Sequence, residues 1–138
     1  MAVTNEGINS LLNTFFKGAA QVTTWYTNVF CADYTPVIAD TAATFPGLAT
    51  EATTQITEGT RQALTLSTST AKSLGNTANL ATVTAAVDFV AYGAGVYSSA
   101  TKGGVAGVLF CAAKFPSSRS LKANDQLKIE VIINGASA

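Results

Sequence analysis

Within residues 125–134 every second position from Leu127 on is branched and apolar, Leu127, Ile129, Val131 and Ile133, with Lys128 and Glu130 standing between them. A two-residue period sends alternate side chains to opposite faces of an extended backbone, so this stretch predicts a strand with one face on a core and one in water. Shorter versions of the pattern recur at 62–67, 73–79, 80–90, 89–97 and 105–115, separated by turn residues such as Leu74-Gly75-Asn76 and Lys102-Gly103-Gly104. Seven or eight short strands at even spacing predict an antiparallel sandwich, jelly roll or barrel. Gly93 and Gly95, inside a strand pattern, predict a bulge or the close approach of another backbone.

Only one segment has a helical period. Ile8, Leu11, Leu12, Phe15 and Phe16 share one face, Asn5 is the expected N-cap, and Gly18 is the expected stop. Over 21–31, Val22, Tyr26 and Phe30 point one way and Trp25, Val29 and Cys31 the other. Both faces are partly apolar, which predicts an inner strand covered on both sides. Residues 33–51 break every period, with Pro36, Pro46 and scattered Ala and Thr around Tyr34 and Phe45. They read as a long loop or arm reaching to about residue 61. The expectation is a single mostly β domain over residues 1–138, an antiparallel β-sandwich or jelly roll with one short N-terminal helix.

Its core must be thin, because 24 Ala and 20 Thr make up nearly a third of the 138 residues. Only 12 % is charged, and the 8 basic and 8 acidic groups cancel. Such a surface suits a protein that ends up covered by other protein. Residues 1–60 hold Glu6, Asp33, Asp40, Glu51 and Glu58 against Lys17, a sum of −4, and residues 61–138 sum to +4. Either the two halves interleave within one fold, or the acidic half of one copy meets the basic half of a neighbour. Dispersed basic residues and a pI near 6.1 argue against nucleic acid. The longest apolar run, 105–113, is too short to span a bilayer, and no charged leader precedes an apolar stretch, so a soluble protein made in a cytosol is expected. Cys31 and Cys111 sit in apolar segments and are expected as core thiols.

The chemistry of catalysis finds few carriers here. Histidine is absent, and with it the usual general base, the activator of serine or cysteine nucleophiles and the commonest metal ligand. Residues 95–102 lack the second glycine of a phosphate-binding loop, and Ser98 stands where a dinucleotide fingerprint needs glycine. Two of the eight carboxylates could still converge as a glycosidase pair. No enzyme activity, cofactor or metal is expected.

Three stretches carry a resemblance: GINSLLNTFFKGAAQVTTWYTNVF near the start, SSATKGGVAGVLFCAAKF at 98–115, and LKANDQLKIEVIING at the close. Together they resemble small virion proteins of tailed bacteriophages, specifically the jelly-roll cement, or decoration, proteins of the Bordetella podophage type. The resemblance covers about half the chain. It implies a jelly roll, pairing into homodimers, and attachment to the outside of a shell of HK97-fold major capsid protein in the virion, with no nucleic acid or membrane partner. Aromatic anchors for such a partner would come from Tyr34, Phe45, Tyr92 and Tyr97, with Lys102 at the Lys-Gly-Gly turn, whereas Trp25 and Tyr26 fit core packing better. The alternatives are a tail- or head-fibre module that binds a receptor or glycan, and a tail or neck structural protein.

Overall fold

The computed structural model describes residues 2–135. It is mostly β and antiparallel, with one N-terminal helix of several turns. The strands are β1 (Ala2–Val3), β2 (Tyr26–Phe30), β3 (Gln62–Ala63), β4 (Ser73–Gly75), β5 (Ala81–Thr84), β6 (Phe89–Tyr97), β7 (Leu109–Leu121), β8 (Gln126–Ile129) and β9 (Ile132–Asn134). Five of them form one sheet in the order β1-β7-β6-β2-β3, while β4 pairs with β9 and β5 with β8 as two small ribbons. Helix α1 spans Asn5–Lys17, and a single turn, α2, spans Phe45–Leu48.

Strand β2 is the inner strand that its sequence predicts, with β6 on one side and β3 on the other. Its alternation feeds two cores. Val29, with Trp25 and Cys31 leaning on the same cluster, packs against Val83, Ile129 and Val131, so the β5-β8 ribbon closes a sandwich over one face of the large sheet. Phe30 points the other way, into a second cluster with Phe45, Tyr97 and Leu109. Residues 33–50 form the lid of that second core. Of the loop and the arm that the sequence allows, the structure has a segment packed down on the body: Ala42, Phe45 and Ala49 are buried, and α2 with Pro46 in its first turn gives it a helical corner.

Two further expectations are refined. The final alternating stretch is two strands, because the chain leaves the β5 ribbon after Ile129 and joins β4 from Ile132. Ile129 and Val131 nevertheless both face the core, as the two-residue period requires. The strand expected at 105–115 begins later and runs further, from Leu109 to Leu121. Opposite Ala91 and Gly93 its register slips to Arg119 and Lys114, and Pro116 falls within the resulting bulge, where its missing N–H costs no ladder bond. Gly93 is needed there. A Cβ on it would lie 2.2 Å from the Ala113 carbonyl oxygen and 2.3 Å from the Phe30 ring.

Candidate interaction surface

Charges from the two halves of the chain interleave within one fold. Glu51 and Arg61 are both fully buried, and Arg61 clamps the carboxylate with two bonds, Nε to Oε1 at 2.8 Å and Nη2 to Oε2 at 2.7 Å. Around this pair nearly every polar atom is satisfied. Asn28 donates to Glu51 Oε1 at 2.8 Å, the Gly103 amide donates to Oε2 at 3.0 Å, and Arg61 also donates to the carbonyls of Ser99 and Gly104. The guanidinium lies 3.6 Å above the Tyr97 ring centroid, a stacked cation–π contact shielded from water. One cluster thus ties the lid segment, inner strand β2 and the 98–104 loop together. The Tyr97 hydroxyl is buried with no partner, and burial followed by the nearby Glu51 charge pushes its pKa well up. Elsewhere Lys114 pairs with Asp33 and Lys122 with Asp88.

The residues expected to hold a partner converge, but inward. Phe45 is 0 % and Tyr97 1 % exposed, so neither has surface to offer, and both serve the second core. Tyr34 and Tyr92 are half-buried against that same cluster. The Tyr34 hydroxyl donates to Asp40 at 2.7 Å, a bond that raises its pKa. Lys102 spends its ammonium on the carbonyls of Thr53 and Glu58. Phe45 and Tyr97 thus build the core under the lid and have no docking surface to offer, while Lys102 ties its turn to residues 53–58. Nor do acidic groups and thiols gather: among the described residues no cluster of three or more could hold a metal ion. No helix there is long and apolar enough to cross a membrane. Cys31 and Cys111 are free thiols, pushed up to about 11 and about 12 by burial.

The exposed feature lies on α1. Its N-cap is Thr4, one residue before the expected Asn5, because the Thr4 side chain accepts from the Gly7 amide at 3.0 Å while its hydroxyl also donates to the Leu109 carbonyl. Glu6 accepts from the amides of Ala42 and Leu109, at 2.8 and 2.7 Å. The first turn is therefore bolted to β7 and to the lid. At the other end Gly18 adopts φ 66° and closes the helix with a left-handed cap, as its sequence position predicts.

Between those ends the helix sits the opposite way from an ordinary amphipathic surface helix, which lays its apolar stripe on the core. Its inward stripe is Gly7, Ser10 and Thr14, the only helix positions besides Glu6 that are not exposed. Gly7 lets the backbones meet, since a Cβ there would stand 2.4 Å from the Phe110 carbonyl oxygen. The apolar stripe consequently faces outward. Phe15 and Phe16 are 79 % and 81 % exposed, and Ile8, Leu11 and Leu12 lie between 44 % and 51 %. A groove of about 380 Å³ runs from Leu11 past Val22, Trp25 and Leu66 to Ile133, extending the apolar surface onto the body. The helical spacing was visible in the sequence, but the small residues at i, i+3 and i+7 were the signal for which side would dock. No protein-family model matches this chain, and no curated protein matches it either.

Proposed function

We propose that this chain is a structural virion protein that decorates a tailed-bacteriophage capsid, binding the outside of a shell of HK97-fold major capsid protein across subunit seams and pairing with a second copy of itself. The observation that carries the reading is the outward apolar stripe of α1. On the order of 500–600 Å² of contiguous apolar side chain is at the upper end of what monomers expose and marks a surface made to be covered by protein. The three stretches that resemble phage decoration proteins include this helix, and the β-sandwich is compatible with theirs.

The mechanism is mechanical and non-enzymatic. A protein that binds only the assembled shell stabilises that state by mass action. A copy that touches two capsomers gains effective concentration for its second contact, so modest individual contacts suffice. Internally the chain is held by the Glu51–Arg61 cluster and its two cores, so that it presents a preformed face. A glycan-binding face fits less well, because sugar recognition needs polar side chains beside its aromatic rings and the neighbours of Phe15 and Phe16 on this stripe are Ile8, Leu11 and Leu12.

Quantitative mass spectrometry of purified virions, comparing this chain with the major capsid protein, tests the reading. A ratio near one is expected. A few copies per hundred would place the chain on the tail or neck and overturn it, as would its absence from particles.

A further inference from the structure

We infer that the outward stripe of α1 is the seat of a second copy of this chain, whose own α1 crosses it antiparallel about a two-fold axis passing near Leu12. The inference rests on the reading that this face is covered by protein, and it decides which of the two proposed partners, shell or second copy, takes it.

Area supports self-association. Two such stripes face to face bury about 1,000–1,200 Å² before the flanking groove is counted, which reaches the lower bound of a stable interface. The stripe is also self-complementary in shape. Ile8, Leu12 and Phe16 form one row at four-residue spacing and Leu11 and Phe15 a second, leaving a groove between two ridges, so an identical helix can set its ridge into that groove. Reversing the partner places bulky Phe16 against the smaller Ile8 and brings Leu12 opposite itself.

Charge points the same way. The stripe itself bears none, and the helix holds only Glu6 in its first turn and Lys17 in its last. Antiparallel packing opposes the two helix dipoles and brings no like charges together across the seam, because Glu6 is turned to the body, where it accepts from Ala42 and Leu109. A lipid surface fits poorly, because the flanks carry Asn9 and Asn13 where a membrane-lying helix carries lysine and arginine.

Sedimentation equilibrium on the full chain at tens of micromolar, with a Phe15→Glu/Phe16→Glu variant beside it, tests the inference. Twice the 14.1 kDa chain mass is expected for the parent and the single mass for the variant, with the circular dichroism spectrum of the fold unchanged and only the concentration-dependent part of the melting temperature lost. Leu12→Cys should cross-link to itself under mild oxidation, whereas Asn9→Cys should not. A parent that is monomeric throughout, or a variant that remains dimeric, would overturn the inference. If the variant loses the dimer and the chain proves absent from virions, the pairing stands and the capsid reading falls. If the variant keeps the dimer but no longer attaches to shells, the stripe belongs to the shell and the pairing through α1 is refuted.

Discussion

The Glu51–Arg61 cluster and helix α1 invert the usual distribution of polarity. Charge lies at zero exposure in the middle of the molecule, while two phenylalanines stand about four-fifths exposed on its rim. The difference shows what each kind of group can do when the core is built from small side chains. Alanine and threonine interdigitate weakly, so a directional, multiply bonded ion pair fixes how the lid, β2 and the 98–104 loop meet. The large apolar side chains of α1 are left for surfaces outside the chain. Buried ion pairs add little net stability against a well-packed apolar substitute, but losing one partner is costly. An exposed stripe has the opposite profile, costing the monomer little when removed and an assembly much.

Breaking the inner half of this contrast should have the largest effect. Arg61→Ala strands the Glu51 carboxylate and removes the platform over Tyr97, and chemical denaturation should register a loss of about 3–5 kcal/mol. Pairing Arg61→Met with Glu51→Gln should recover a large part of that. A double variant no better than the single one would mean that stacking on Tyr97, and not the stranded charge, dominates.

Alkaline pH probes the buried thiols of the same interior. Burial raises Cys111 from an ordinary value near 9 to about 12. The unfolded chain then loses that proton first as pH rises. Stability should be flat with respect to this group below pH 9 and fall between 9 and 12, by about 1.4 kcal/mol per pH unit. Denaturation midpoints from neutral pH to 11 would show the decline, and Cys111→Ala should reduce its slope. Native alkylation near pH 8 should leave both thiols unmodified, and rapid labelling of Cys111 would contradict its place in the core.

Gly7→Ala acts on the joint between the two regions. The Phe110 backbone cannot yield to a Cβ at 2.4 Å, so α1 should lift from β7 at a cost of about 1–3 kcal/mol. Trp25, the single tryptophan, lines the groove beneath the helix, and its emission should shift to the red. At a dilution where the parent is monomeric, Phe15→Ser with Phe16→Ser should have the smallest effect on the fold, within about 0.5 kcal/mol of the parent. A larger loss would show that the stripe is bound internally after all, and the contrast would collapse.

Much of the architecture was legible in the residues. The two-faced apolar pattern of 25–31 predicted an inner strand, and its Val29 and Phe30 do feed opposite cores. Gly93 predicted a close backbone approach, and the Ala113 carbonyl provides it. The four candidate aromatic anchors were less legible. Tyr34, Phe45, Tyr92 and Tyr97 are aromatic residues in irregular or glycine-rich surroundings, and nothing in their local spacing distinguishes an exposed ring from one under a folded lid. Glu51 and Arg61 are ten residues apart in a stretch without period, so their pairing left no pattern to read.

By itself the sequence determined what depends on neighbours a few residues away: the two-residue and four-residue periods, the Gly18 cap and the low charge. Tertiary structure decided what depends on parts of the chain distant in sequence. It split the last alternating stretch between two partner strands, folded 33–50 over the second core, and stacked Arg61 on Tyr97. It also turned α1 so that Gly7, Ser10 and Thr14 face the body. The physical reason is that periodicity specifies which side chains share a face, whereas burial depends on which surfaces arrive to cover that face. On α1 the closest approach of two backbones, at Gly7 and Phe110, won over the burial of its largest side chains.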